Sequence, residues 1–500
     1  MDLLFLTLSL FMSIILTIII NYKTKHSSSP NKLPPGSFGW PLIGEAMQFL
    51  YASPEKFIHD RMNKYSSEVF KTSVFGKQIA VVCSPSGNKF LFSNKDIAAW
   101  RMPSMEKLFR GNNNDCKKAA RDHEPDPSLI TESEDSQILL QLPTFLKPKA
   151  IMDYLPVMNS VTKDHLDTHW NPFSCNNVVI KVFPLAKQFT LTLACRLFLG
   201  LDDPNRLVKL VREFDAVTEG LGVAAVEIPG TAFYRARKAV EAIRRELRLI
   251  VKEKAAAMGM EMETGGTEVA QDMLGFMMGL RDVGEKLLRE EEIADKMMGL
   301  LVAGYSTVAS AITFLMKYIG MHSHVYDEVL RGETEQREIM NAREGGKESG
   351  TLTWEDIQKM KYSWNVVQEV MRLEPPLQGT FREASADLTF AGFTIPKGWK
   401  ICWSVSSTNK NPKYFPDPER FDPSRYEGTG PPPYTFVPFG GGARTCPGKE
   451  YARTAVLIFL HKVVERFEWD TVFPDEKIIS QMMPTPALGL PVRLRSHIIY

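Results

Sequence analysis

The sequence predicts a mainly α-helical protein with a smaller β portion (α+β), preceded by a single membrane-spanning helix. Three observations carry this. Long stretches with helical spacing of apolar residues fill the middle of the chain. Short strand-like runs separated by proline-rich turns fill residues 375–435. An uncharged apolar run opens the chain at Leu3–Ile20.

That run, 18 residues long, is about the minimum to cross a bilayer core as a helix. Asp2 precedes it and Lys23, Lys25 and His26 follow it. Basic residues stay on the cytosolic side, so the body of the protein is expected in the cytosol. A cleaved secretory signal would carry its charge before the run and a small-residue cleavage site after it. Residues 1–22 are therefore read as an anchor and 23–45 as a polar, proline-rich connector with Pro34, Pro35, Gly36 and Pro41. Residues 46–500 are read as one catalytic domain. The "FGKQIAVVCSP" stretch predicts two strands around a turn at Gly76. Residues 103–138, charged and poor in large apolar side chains, predict mostly loop. Phe233–Ala257 predicts a long helix, broken by "GMEMETGGTE".

Composition narrows the function. With 44% hydrophobic residues in 500, the chain can bury a large core, and a net charge of +1 gives no field for nucleic acid. Six cysteines lie far apart with no CxxC pair. This argues against a disulfide scaffold or zinc finger and suits a reducing compartment.

One cysteine stands apart. In "FVPFGGGARTCPGKEYAR", Cys446 sits between glycines and a helix start. A thiolate that binds a metal must be stabilised as an anion, and unpaired N–H groups at a helix start do this. Pro447 suits an early helical position, and apolar residues at helical spacing follow. Gly440, Gly441, Gly442 and Gly448 let backbone approach a flat, bulky group. Arg444 stands where it could pair with a carboxylate on that group. These demands fit a haem iron bound by Cys446. The bland alternative is a buried structural cysteine beside a glycine turn.

The pattern Phe439-x-x-Gly442-x-Arg444-x-Cys446-x-Gly448 resembles the haem-binding signature of the cytochrome P450 superfamily. Three further stretches agree. In "VVQEVMRLEPP", Glu369 and Arg372 share a helix face among apolar residues, and "FPDPERFDPSRY" offers Arg420 as a further partner. The resemblance implies that these three residues support the cysteine loop. In "MMGLLVAGYSTVASAITFLMKYIG", Gly304 and Thr307 stand at the centre of an apolar helix. The resemblance makes this the oxygen-binding groove. Gly304 would allow close approach to the haem, and Thr307 would donate a hydrogen bond to dioxygen. Ser306 occupies the place where the family usually has an acid, so weaker proton delivery to oxygen is expected.

Across nearly the whole chain, "LPPGSFGWPLIGE", "WEDIQKMKYSWNV" and "PPLQGTFREA" resemble the plant triterpenoid oxidases typified by β-amyrin 28-oxidase. This implies a P450 fold carrying haem b with Cys446 as axial ligand, held in the endoplasmic reticulum membrane and facing the cytosol. It implies a lipophilic substrate and electrons from NADPH through NADPH–cytochrome P450 reductase. Oxidation of another terpenoid or a steroid, a reductase-independent rearrangement of hydroperoxides, and a weakly active haem protein stay open. The stretch from Glu132 to Leu146 lacks the Lys or Arg expected to hold a haem propionate. Arg444 and Arg382 are then the candidates, with an ordinary strand-edge arginine the alternative for Arg382. Lys449, Arg453, His461 and Lys462 could meet an acidic reductase or form a solvated helix face.

Overall fold

The computed structural model describes residues 32–51, 54–109, 145–174, 178–221, 223, 225–263, 272–279, 288–332, 351–479 and 483–497. The apolar run Leu3–Ile20, residues 110–144 (most of the expected loop 103–138 and of the stretch from 132) and the end of the expected break, 264–268, lie outside these. The chain divides into two compact units. One comprises Met1–Arg101, Gln378–Glu419 and Pro431–Arg444; the other comprises Met102–Leu377, Arg420–Gly430 and Thr445–Tyr500.

The first unit is built on a five-stranded sheet. Strand Val69–Val74 pairs antiparallel with Lys77–Val82, with Val69 opposite Val82 and Val74 opposite Lys77. Phe75 and Gly76 make the turn with φ of 47° and 73°, the two positive angles that match the twist of a two-residue hairpin. Lys77–Val82 pairs parallel with Lys400–Ser404, which pairs antiparallel with Gly379–Ala384, and Ile97–Ala99 closes the edge. Alternate side chains load the two faces. One face buries Val69, Ala80, Val82, Ile401 and Trp403; the other buries Phe70, Ile79, Val81 and Cys402 against Phe57 and Ile58. Residues 32–45 are non-helical, as the prolines predict. They are also packed: Leu33 and Phe38 lie against the core and Gly36 bridges Lys71.

The second unit is helical. A 32-residue helix, Glu290–Met321, is apolar on most of its surface and buries residues from Ile293 to Ile319. Glu290, Glu291 and Glu292 fill its first turn, where they complement the helix dipole. We call it the central helix. Helices Pro148–His169, Val182–Leu199, Pro204–Gly220, Ala232–Glu263, Lys361–Leu373 and Lys449–Arg466 make up most of the rest. Trp170, Phe189, Phe459 and Phe467 interlock with centroids 5.2 to 6.3 Å apart. A three-stranded sheet of Val179–Lys181, Pro491–Ser496 and Phe467–Thr471 flanks the helices.

Two sequence expectations change. Pro103–Phe109 is a helix and not loop, because Pro103 starts it and Leu108 finds a buried seat. The helix Ala232–Glu263 runs through Gly259 into the expected break. A lone glycine inside a helix costs only about 1 kcal/mol, and Met260, Glu261, Met262 and Glu263 after it are good helix formers.

Candidate active site

Cys446 is exposed, whereas Cys83, Cys195 and Cys402 are buried; Cys116 and Cys175 lie outside the described residues. The helix Lys449–Arg466 begins three residues after it, with Gly448 as its N-cap. Pro447 therefore sits in the turn before the helix and not at an early helical position. Although the residue as a whole is exposed, the surroundings of the sulfur desolvate it and push the thiol above its ordinary value; the Gly448 N–H donates to the sulfur and acts the other way. A cation on the sulfur would reverse the first effect and keep the second.

The preceding segment, in the first unit, is shaped by one aromatic residue that the motif did not reveal. Gly442 has φ of 66°, and a Cβ there would collide with the Phe92 carbonyl. A Cβ on Gly441 would lie 2.7 Å from the Phe92 ring. Close approach is the reason for these glycines, but the neighbour is Phe92, which stacks edge-on against Trp403 at 5.3 Å. Phe439 is half-buried before this turn, and Arg444 ends the short 3-10 turn Gly442–Arg444 and is exposed. Arg382 lies on Gly379–Ala384, an interior strand and not an edge. Its Nη1 donates to Thr380 Oγ1 and the Phe381 carbonyl, both at 2.9 Å. Burial, and then the like charge of Arg444, lower its pKa. Two cations that raise each other's energy suit a carboxylate ligand.

Glu369 and Arg372 are both fully buried on Lys361–Leu373. Arg372 Nε and Nη2 reach the Glu369 carboxylate at 2.7 and 2.8 Å, a two-pronged pair. The third charged partner is Arg425, whose Nε lies 3.2 Å from Glu369 Oε1. Arg420 does not fill that role. Its side chain is exposed, and it contributes its main-chain carbonyl to Arg372 Nη2 at 3.2 Å. The 3-10 turn Pro423–Tyr426 folds Arg425 back over the carboxylate. The Asp422 N–H and Tyr426 hydroxyl complete the set at 3.0 and 3.3 Å. "FDPSRY" held the signal, an arginine five residues beyond the expected one.

On the central helix, Thr307 is half-exposed and its Oγ1 donates to the Ala303 carbonyl at 2.7 Å. Gly299 and Ala303 are exposed on the same face of an otherwise buried helix. Ser306 is 5% exposed and turned inward. At Gly304 a Cβ would lie 3.6 Å from Phe198 and 3.7 Å from Tyr451, ordinary packing distances. Its neighbours are side chains of two adjoining helices, Tyr451 belonging to Lys449–Arg466.

The cationic cluster after the cysteine is not a surface patch. His461 and Lys462 are buried, and Arg453 is held by Gln358 at 3.3 Å and Glu450 at 3.6 Å. Of the four, Lys449 is exposed. The apolar spacing that made this helix legible also draws two of its cations inside.

A family model of cytochrome P450 matches residues 34–497. The chain is 46% identical to a β-amyrin 28-monooxygenase of Vitis vinifera over 508 residues, spanning 99% of this chain and 100% of that protein. It is 46% identical to one of Medicago truncatula, spanning 99% and 96%. Among solved structures, the retinoic acid-bound cyanobacterial CYP120A1 superposes with a TM-score of 0.77 at 29% identity, covering 93% of this chain and all of that one. Cytochromes P450 carry a thiolate-bound haem iron. Each unit by itself offers residues that suit such a group: the second an exposed thiol at a helix start and an exposed face on an apolar helix, the first two guanidinium groups that repel each other. Sequence match, superposition and donor set agree along nearly the whole chain, and the chain belongs to the cytochrome P450 family.

Proposed function

We propose that this chain is a membrane-anchored haem-thiolate monooxygenase that oxidises a triterpenoid scaffold of the β-amyrin type. The observation that carries it is the 46% identity, over almost the full chain, to enzymes named β-amyrin 28-monooxygenase. When bound, the haem supplies dioxygen activation and the insertion of one oxygen atom into an unactivated C–H bond. Cys446 would hold the iron through its sulfur, and the Gly448 N–H at the helix start would steady the negative charge there. Arg444 and Arg382 would bind the carboxylates of the haem. Phe439, Gly442 and Gly448 shape the loop that carries the thiol. Thr307 offers a hydroxyl beside Ala303, where a proton can be held or passed on, and Ser306 and Gly304 flank it. Glu369, Arg372 and Arg425, with the Arg420 carbonyl, brace the structure without touching the reacting atoms.

Residues 1–22 anchor the chain in the endoplasmic reticulum membrane, 23–45 connect, and 46–500 work in the cytosol. Trp40, Leu42, Met47 and Phe75 support a bilayer surface: all are large, apolar and more than half exposed. The Phe75 N–H bond to the Ile43 carbonyl ties the Phe75 turn to the segment that carries Leu42. A triterpene concentrates in the bilayer, so an enzyme held there receives it without its crossing water. Electrons come from NADPH through NADPH–cytochrome P450 reductase. Co-expression in yeast with that reductase and a β-amyrin-forming cyclase, followed by mass spectrometry, tests this reading. Oxidised β-amyrin is expected. Unchanged triterpene from a chain with an intact carbon monoxide spectrum overturns it.

A further inference from the structure

Behind the exposed face of the central helix lies a polar cluster to which the proposed function gives no task. Tyr305 is fully buried and stands two residues, about 200°, around the helix from Thr307. Its hydroxyl donates to Asp215 Oδ1 on helix Pro204–Gly220. Lys187 Nζ, on helix Val182–Leu199, reaches the same oxygen at 2.8 Å. Burial and the charge of Asp215 keep the phenol protonated, well above its ordinary value, so it remains a donor. The main chain of the same residue is also held. Thr190 Oγ1, fully buried, lies 3.0 Å from the Tyr305 carbonyl and 3.0 Å from the Ala186 carbonyl of its own helix, and its one proton is shared between them. Two neighbouring helices thus grip the side chain and the carbonyl of one residue.

The consequence lies on the other side of the helix. Successive residues are about 100° apart, so a rotation of one residue exchanges Thr307 for Ser306. Apolar packing alone fixes such a rotation weakly, because neighbouring aliphatic side chains substitute for one another at small cost. A hydrogen bond from a buried phenol to a carboxylate does not, since a lost partner leaves a buried polar group unsatisfied. We infer that Tyr305 is a positioning residue: gripped by Asp215, Lys187 and Thr190, it fixes the rotation of the central helix that presents Thr307 and Ala303, and not Ser306, on the exposed face.

The inference rests on the monooxygenase reading only for its catalytic arm. Tyr305→Phe keeps the ring and removes the hydroxyl; Asp215→Asn removes the charge; Asp215→Glu retains it. Thr190→Val loosens the carbonyl from the other side. Arg235→Gln, at an exposed ion pair with Glu219, is the control. In the full-length holoenzyme, amide hydrogen exchange across residues 303–309 should quicken at least tenfold in Tyr305→Phe and Asp215→Asn, less in Asp215→Glu, and not in Arg235→Gln. Product formed per NADPH should fall at least threefold in Tyr305→Phe while KM holds. Unchanged exchange in Tyr305→Phe, Asp215→Asn and Thr190→Val overturns the inference. Faster exchange with undiminished product per NADPH overturns it too, because the grip would then stabilise without positioning. If neither parent nor variants oxidise β-amyrin, the substrate reading fails on its own, and exchange still decides whether the grip exists.

Discussion

Glu369→Gln isolates the charge at the centre of the buried network. Five donors converge on this carboxylate: Arg372 Nε and Nη2, the Asp422 N–H, Arg425 Nε and the Tyr426 hydroxyl, all within 3.3 Å. The amide keeps the volume, so no cavity opens. It loses the charge, and its NH2 confronts the Arg372 guanidinium, which can only donate. Arg372, fully buried, is left without its counter-ion. Removing one member of a buried pair costs about 3–5 kcal/mol. Unfolding entropy of about 2.1 cal/mol/K per residue gives ~0.7 kcal/mol/K for a cooperative unit of roughly 350 residues, so Tm should drop by about 4–7 °C. Because the site is shielded from solvent, the drop should be nearly the same in low and high salt. Thermal unfolding of purified parent and variant, followed by fluorescence, reads it. A Tm within one degree of the parent's would refute the reasoning, as would a drop that vanishes in high salt.

Gly304→Ala should stabilise the helix by about 0.5–1 kcal/mol, because an added Cβ meets only ordinary packing distances and glycine is costly mid-helix; a lost carbon monoxide spectrum would show that the position needs closer approach. Ser306→Asp should raise product per NADPH measured with the reductase, and lower Tm, since it places a carboxylate at a buried site; unchanged yield per NADPH would dismiss the proton-delivery role. Burial, and then His169, depress His165 to about 3. Below its ordinary value of about 6.5 the unfolded chain binds a proton that the folded one refuses, so stability falls as pH drops from there toward 3, by up to ~1.4 kcal/mol per unit. His165→Phe should flatten that slope in urea unfolding series, and an unaltered slope would count against it.

The hairpin at Gly76, the central helix and the burial of Glu369 and Arg372 were legible because each is written locally, in turn residues or in apolar spacing. Arg425 was not, because which of two arginines in a proline-rich loop turns inward depends on the 3-10 turn between them. The glycines before Cys446 announced a close approach without naming Phe92, which lies some 350 residues earlier in the chain and is joined to them only by folding. Lys462 and His461 read as surface cations because charge is a poor guide to burial on a helix covered on most sides. The grip on Tyr305 was invisible for a related reason: Lys187, Asp215 and Tyr305 sit on three helices, and no spacing links them.

Sulfur–iron ligation by Cys446 is the bond on which the haem-thiolate chemistry depends most. The carbon monoxide difference spectrum of the reduced protein tests it directly, in the parent and in Cys446→Ser. The parent should show the red-shifted Soret band of a thiolate ligand, and the variant should lack it. A variant that keeps that band would contradict the account.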